Sequence, residues 1–164
     1  MTDVITCPPQ EALPAAIGKL SNLEELVASQ NFLRVLPPSV GLCRKLHTLN
    51  VDENDLDALP KEVGSCAALK ILSAHKNHLS ALPAELDHIS ELAVLNLTGN
   101  LIQHLPVSFM KLRKVRLLRL DKSMNVFLVL LTRTHVENIL TSFYLSFSRS
   151  RSPRYGCRRT RTSR

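Results

Sequence analysis

The feature that most constrains the fold of this chain is an internal repeat with a step of 23 residues. Leu-Pro pairs recur at this step, and so do asparagines. The pairs begin at Leu13, Leu36, Leu59, Leu82 and Leu105, and the asparagines are Asn31, Asn54, Asn77 and Asn100. A fixed step of this length predicts a stack of similar supersecondary units rather than an irregular globule.

Each asparagine closes a segment of the form Leu-x-x-Leu-x-apolar-x-x-Asn. The segments are 23–31, 46–54, 69–77 and 92–100. This form is similar to the consensus of leucine-rich repeats. We therefore predict an α/β solenoid of about four to five 23-residue repeats. Short parallel strands would form its concave face, and loops or short helical turns its convex face.

The spacing also predicts how one repeat packs on the next. Successive strands should stack at about 4.8 Å, so that the leucines share one core. An Asn amide offers one acceptor and two donors. We expect Asn31, Asn54, Asn77 and Asn100 to form a ladder that bonds the backbone where the chain leaves each strand. The prolines suit extended or turn segments on the convex side, because they fix φ and lack an N–H.

The register of the repeat divides the chain into four predicted regions. They are an irregular remnant of a repeat (1–12), the solenoid (13–120), an apolar irregular capping segment (121–148) and a disordered Arg/Ser-rich tail (149–164). The register decays after Leu120, because Ser123 takes the asparagine position. Counting back one repeat places a strand near residues 4–6. Since neither end looks like a polar cap, we expect a fragment, a partial gene model, an isoform or a shortened natural protein.

Positive charge is concentrated in the predicted tail. The formal net charge is +7, yet residues 1–148 hold 14 Lys+Arg and 14 Asp+Glu, whereas residues 149–164 hold seven Arg and no acid. The tail could bind an anionic membrane surface, at about 1 kcal/mol per basic residue. Nucleic acid is a less favoured ligand of the tail, and a nuclear import signal is another alternative. The alternative is a tail without function.

The sequence contains no pattern typical of an enzyme or a metal site. It has no HExxH motif, Gly-rich phosphate loop or nucleophile elbow. We therefore predict no catalysis, no cofactor, no metal and no small-molecule substrate. The four cysteines lack a CxxC spacing, no secretory signal is recognisable, and the longest apolar run, 126–131, is too short to span a bilayer. These features favour a reducing, cytoplasmic compartment.

Cys43 and Cys66 occupy the same position of successive repeats. We expect adjacent, buried, reduced thiols that behave as small apolar side chains. A disulfide or a shared metal is the alternative that their proximity leaves open.

Strand residues between the template leucines should face the concave side, where leucine-rich repeats usually bind partners. The predicted partner-binding residues are Thr48, Asn50, Asp52, Ile71, Ser73, His75, Val94, Asn96, Thr98, Leu117 and Arg119. Ile71, Val94 and Leu117 would form an exposed apolar stripe. Such a stripe marks a contact site, or it reflects only the strand preference of these residues.

Charged residues are predicted to meet at one edge of this face. Asp52 would lie opposite His75, and Glu53 opposite Lys76. Neighbouring opposite charges on adjacent strands attract each other. The pairs either select a partner or simply match charge between rungs on a solvated face, and we favour charge matching.

A more specific resemblance is carried by segments 49–54, 59–66 and 105–109, together with 82–100. They are similar to the C-terminal repeats of the LAP (leucine-rich repeat and PDZ) proteins, the family of Scribble and Erbin. The resemblance covers about residues 13–120. It implies a cytoplasmic scaffold for cell polarity and signal transduction, associated with the basolateral membrane and cell junctions. The sequence departs from the family after Leu120, where Asp121 to Ser123 replace its usual ending and no PDZ domain follows.

These observations predict a non-catalytic protein–protein interaction module with a protein partner on its concave face. One alternative is a Ras-linked intracellular repeat scaffold, since those proteins share the 23-residue step. Another is binding of anionic membrane or nucleic acid through the Arg-rich tail.

Overall fold

The computed structural model describes the backbone of residues 3–6 and the whole of residues 11–120. The predictions for the capping segment and for the Arg-rich tail lie outside the described residues.

The described strands form one parallel sheet in the order β1 to β6. They are β1 (Asp3–Thr6), β2 (Leu23–Val27), β3 (Thr48–Asn50), β4 (Ile71–Ser73), β5 (Val94–Asn96) and β6 (Leu117–Arg119). From β2 to β6 each residue pairs with the residue one repeat later, so Leu26 aligns with Leu49 and Leu72. The predicted repeat register is therefore confirmed. The strand expected near residues 4–6 is β1, whose pairing with β2 shifts register after Asp3.

A 3₁₀ helix forms the convex side of each repeat. The helices are η1 (Ala15–Lys19), η2 (Pro38–Leu42), η3 (Lys61–Ser65), η4 (Ala84–His88) and η5 (Val107–Lys111). The proline of each Leu-Pro pair caps the start of the helix with φ between −64° and −67° and an extended ψ. Proline favours this φ, so the repeated prolines set where each helical turn begins.

The core lies between the sheet and the row of 3₁₀ helices. The template leucines fill it, and Leu26, Leu49 and Leu72 have no exposed surface. Full burial of one such side chain contributes about 1.5–3 kcal/mol. Since the leucines of one rung pack on those of the next, stability depends on contacts between neighbouring repeats.

Cys43 and Cys66 are buried, as expected, and neither forms a disulfide. The Cys43 thiol lies 3.4 Å from the carbonyl oxygen of Ile17, and the Cys66 thiol lies 3.4 Å from that of Val40. Burial raises the pKa of both thiols, to about 11 for Cys66, where the neighbouring Cys43 adds a smaller effect. Both side chains are therefore neutral and serve the core.

Close packing of η2 on η3 and of η3 on η4 depends on glycine. A Cβ atom added at Gly41 would lie 2.3 Å from the carbonyl oxygen of Glu62, and one at Gly64 would lie 2.2 Å from that of Glu85. Such approaches leave no room for a side chain. Because no side chain lies between them, these successive helices can follow the short spacing of the strands on the other side of the core.

Candidate partner-binding face

The predicted partner-binding residues within the strands lie on the outer face of the sheet, whereas Asp52, His75 and Thr98 follow the ends of β3, β4 and β5. In each strand a buried leucine is flanked by residues that are half-buried or exposed, which places the flanking side chains opposite the core. Two aligned columns result. One column is Thr48, Ile71, Val94 and Leu117, and the other is Asn50, Ser73, Asn96 and Arg119.

Three members of the first column form an apolar row, which we define as Ile71, Val94 and Leu117. Ile71 is 38% exposed, and Val94 and Leu117 are half-buried. Because the three residues are paired directly across β4, β5 and β6, their side chains are neighbours. The row is a continuous apolar strip on the solvent side of the sheet.

A hydrogen-bonded network lies beside the apolar row. One carboxylate oxygen of Asp52 accepts a bond from the Ser73 hydroxyl at 2.7 Å and from the backbone N–H of His75 at 2.6 Å. The Asn96 amide donates to the Ser73 hydroxyl at 3.3 Å, and the Thr98 hydroxyl donates to Asn96 at 3.0 Å. These bonds link three successive rungs and hold the polar groups in place.

The contact between Asp52 and His75 differs from the predicted charge pair. The carboxylate bonds the backbone of His75, whereas the imidazole Nδ1 lies 2.8 Å from the carbonyl oxygen of Thr98 and 2.7 Å from its hydroxyl. A carbonyl oxygen only accepts, so Nδ1 carries the proton. The imidazole thus bonds the following rung rather than the Asp52 carboxylate.

Glu53 and Lys76 do lie opposite each other, with 2.9 Å between Nζ and the carboxylate. The hydrogen bond from Lys76 is the largest cause that lowers the pKa of Glu53, followed by the positive charge of Lys76 and a weaker bond from Gln30. Both side chains are exposed, so the pair adds little to stability.

The residue before each template asparagine adopts a left-handed backbone conformation. The φ angles are 57° at Gln30, 55° at Glu53, 51° at Lys76 and 75° at Gly99. Such angles are uncommon for residues other than glycine. Glycine at one of the four positions was the only sequence signal of this conformation.

The side chains of three template asparagines, Asn54, Asn77 and Asn100, bond backbone groups of two neighbouring rungs. The amide of Asn77 donates to the carbonyl of Val51 at 3.0 Å and to that of Ala74 at 3.2 Å. Its oxygen accepts from the backbone N–H of Leu56 at 3.0 Å. Asn54 repeats this pattern one rung earlier. Asn31 bonds carbonyls of its own rung, and Asn100 bonds groups of its own rung and of the preceding one.

One column of residues on this face was missed by the sequence analysis. It immediately precedes the strands and consists of His47, Lys70, Ala93 and Arg116. The carbonyl oxygens of His47, Lys70 and Ala93 each accept two backbone N–H groups of the next repeat, at 2.8–3.1 Å. This bonding holds the column in line, with the exposed Lys70 and Arg116 beside the apolar row. The same 23-residue step, counted one position earlier, would have found it.

Two kinds of site are absent from the part of the chain that the structure describes. It contains no group of three or more His, Cys, Asp or Glu residues placed to hold a metal ion. It also contains no helix with the length and apolar character needed to cross a membrane.

Comparison with known proteins identifies the fold but not a close relative. No protein-family model and no curated protein sequence matches the chain. Solved structures do match. The leucine-rich-repeat ectodomain of the Arabidopsis thaliana receptor kinase GASSHO1/SCHENGEN3, in complex with CASPARIAN STRIP INTEGRITY FACTOR 2, is 28% identical with a TM-score of 0.60. That match covers 66% of this chain and 14% of the receptor chain.

Two further structures are similar. The plant peptide hormone receptor RGFR1 in complex with RGF2 is 25% identical with a TM-score of 0.56, over 67% of this chain and 22% of that chain. The PEPR1–AtPEP1 structure is 24% identical with a TM-score of 0.60, over 74% and 21%, and its likeness concerns the fold alone. This chain spans less than a quarter of the length of each of the three. The parallel sheet, the 3₁₀ helices and these similarities together show that the chain folds as a leucine-rich-repeat solenoid.

Proposed function

We propose that this chain is a non-catalytic interaction module that binds a protein partner on its concave face. The observation that carries the proposal is the apolar row. Its three side chains lie side by side on the solvent side of the sheet, although the core is on the other side. An aligned apolar strip of this kind is typical of contact sites.

The polar groups around the row are suited to specific recognition. Hydrogen bonds link the side chains of Asp52, Ser73, Asn96 and Thr98 across successive rungs. Because their positions are fixed before a partner arrives, binding would lose little side-chain entropy at these positions. The apolar row would supply binding affinity. The fixed polar groups would determine how the partner is aligned along the face.

The similar structures support a peptide or protein ligand over a small molecule. GASSHO1/SCHENGEN3 and RGFR1 were each solved in complex with another factor, and RGFR1 is a receptor for a peptide hormone. Transfer of that property to this chain is part of the proposal, since the identity is 28% or less.

We further propose that the parent context is a cell-polarity scaffold on the cytoplasmic side of the basolateral membrane. The support for this is the likeness of residues 13–120 to the LAP repeats. The alternative is a Ras-linked repeat scaffold, because the 23-residue step is common to both. Imaging of the tagged chain in polarised epithelial cells separates them: lateral enrichment supports the LAP context, and uniform cytoplasmic signal counts against it.

The Arg-rich tail supports a second candidate function, the binding of an anionic membrane surface. Its seven arginines occur without an acid in residues 149–164. Co-sedimentation with phosphatidylserine vesicles should be strong for the natural chain and lost when the seven arginines are changed to Gln. Equal sedimentation of both would remove this candidate, and a preference for RNA over the vesicles would replace it with nucleic-acid binding.

Affinity capture with matched variants tests the interaction function. Val94→Glu places a charge at the centre of the apolar row. Leu101→Glu is the control, because Leu101 is 63% exposed and lies outside the strands. Proteins that bind the natural chain and Leu101→Glu, but not Val94→Glu, are candidates for the partner.

Each candidate is then purified and titrated against the three proteins. The proposal predicts a loss of affinity of about tenfold or more for Val94→Glu, since a charge buried without a partner is costly. Equal binding by Val94→Glu and the natural chain, for every candidate, would overturn the concave face as the site. Thermal melts that match among the three proteins exclude misfolding as the cause.

A further inference from the structure

The concave face is divided into an acidic half and a basic half. Segments 24–30 and 47–53, which include β2 and β3, contain four acids and neither Lys nor Arg. The equivalent segments 70–76, 93–99 and 116–122, which include β4, β5 and β6, contain five Lys or Arg and one acid, Asp121. The boundary lies between β3 and β4, where Lys76 pairs with Glu53.

Two of the four acids of the first half, Asp52 and Glu53, are satisfied by hydrogen bonds within the fold. Asp52 bonds Ser73 and the backbone of His75. Glu53 bonds Lys76, and Glu24 lies 3.8 Å from the His47 ring. Glu25 has neither a hydrogen bond nor an ion pair of its side chain among the described residues, and the Glu24 contact is an ion pair only when His47 is protonated.

The cations of the second half are mostly unsatisfied. Lys70, Arg116 and Arg119 are exposed, and none of them forms an ion pair or a side-chain hydrogen bond among residues 11–120. We refer to these three as the basic cluster. Two nearby cations outside the concave columns, Lys111 and Lys114, pair with acids of the preceding repeat, whereas Arg113 between them forms no ion pair among the described residues. The basic cluster is distinguished by its position, since its unpaired cations lie beside the apolar row.

The basic cluster surrounds the apolar row. Lys70 immediately precedes Ile71 on β4, and Arg116 and Arg119 lie on either side of Leu117 on β6. Two strand spacings separate β4 from β6, which is about 10 Å. An extended peptide rises about 3.3 Å per residue and points alternate side chains to the same face, so carboxylates four residues apart, about 13 Å, would reach the long side chains at both ends of the cluster. Apolar side chains between them would meet the row.

We propose that this face binds an acidic segment of a partner protein whose carboxylates pair with Lys70, Arg116 and Arg119. Apolar side chains of the same segment cover the apolar row. The segment lies across the strands from β4 to β6. The proposal rests on the proposed function, and it adds the chemistry of the partner and where its charges lie.

Selection from a random peptide library displayed on phage tests this proposal. The target is the full chain with the seven tail arginines changed to Gln, because the tail would otherwise collect acidic peptides by itself. In this background three targets are compared: the concave face unchanged, Val94→Glu, and a triple variant with Lys70→Glu, Arg116→Glu and Arg119→Glu. The three altered cations are exposed, and equal thermal melts verify folding.

The proposal predicts that the unchanged face enriches peptides that combine Asp or Glu with apolar residues. Their binding should be lost with Val94→Glu and fall about tenfold or more with the triple variant, since like charges then face each other. The triple variant should instead enrich peptides that combine Lys or Arg with apolar residues. Raising the salt concentration should weaken binding to the unchanged face, because exposed charges are screened.

The remaining outcomes distinguish the two proposals. Peptides that require Val94 but contain no excess of acids, or that bind the triple variant equally well, would overturn the acidic partner and leave the concave interaction site standing. Enriched peptides that ignore Val94→Glu would count against both. Failure to enrich any peptide that depends on Val94 would also overturn the proposal of an acidic segment. The interaction function would still be tested by the affinity capture with Val94→Glu.

Discussion

Replacement of Asn77 by Ala perturbs the rung-to-rung bonding at a single buried side chain. Asn77 is 4% exposed, and its amide spans the rungs of β3 and β4. In Asn77→Ala the backbone N–H of Leu56 loses the side-chain oxygen that it bonds. The carbonyls of Val51 and Ala74 keep other partners, because the amides of Asn54 and Asn100 still reach them.

The expected magnitude follows from that inventory. One buried N–H left without an acceptor costs about 1–3 kcal/mol. The lost bonds to carbonyls that keep another donor should add about 1 kcal/mol together. We therefore expect Asn77→Ala to lower the free energy of unfolding by about 2–4 kcal/mol. Asn50→Ala is the matched control: its oxygen accepts only from the nearby N–H of Asp52, at a half-buried site where water can replace it.

Urea unfolding followed by circular dichroism measures the difference, and amide hydrogen exchange locates it. Asn50→Ala should cost less than about 1 kcal/mol. The Leu56 amide should exchange much faster in Asn77→Ala than in the natural chain, while amides of η5 change little. Equal stability of the two variants, or unchanged protection of Leu56, would refute the reasoning that the asparagine ladder bonds one rung to the next.

Three further predictions concern the core, the convex side and the edge of the concave face. In reducing buffer, the free energy of unfolding should fall as pH rises from about 9 to about 11, since the pKa of Cys66 is raised to about 11 in the fold and the unfolded thiol ionises first. The loss should approach roughly 2–3 kcal/mol. Cys66→Ala should lack this component, and equal slopes in urea titrations of both proteins would contradict it. Gly64→Ala should destabilise by about 1–3 kcal/mol, because its Cβ would meet a carbonyl oxygen; the exposed Ser65→Ala is the control for the same helix, and equal melting temperatures would show that the turns are not closely packed. Lys76→Ala should leave the thermal midpoint nearly unchanged, because its bond to Glu53 is exposed, and a large drop in a calorimetric scan would assign the pair a structural role.

The periodic part of the fold could be predicted from the sequence. A leucine every 23 residues marks a buried position of each rung, and Leu26, Leu49 and Leu72 do align in the sheet. The prolines marked the convex turns for the same reason, since their φ restriction acts locally. Positions fixed by burial or by a backbone restriction were therefore predictable from spacing.

Contacts that depend on the backbone path between template positions were not predictable. The 23-residue spacing predicted that Asp52 lies opposite His75. In the structure the Asp52 carboxylate accepts a hydrogen bond from the backbone N–H of His75, and the imidazole bonds Thr98 instead. The left-handed backbone conformation of Glu53 and Lys76 could not be predicted from the residue types at these two positions. The exposed column that includes Lys70 and Arg116 was overlooked because the template specifies buried residues and leaves exposed ones free to vary.

The most direct test of the concave site is a methyl NMR footprint of the bound partner. The full chain is labelled at Ile, Leu and Val methyl groups and titrated with a partner obtained by the matched capture. We predict that the methyl signals of Ile71, Val94 and Leu117 shift or broaden. Those of Leu42 and Val107, which are exposed on the convex helices, should stay in place. Changes confined to Leu42 and Val107 would contradict a concave binding face.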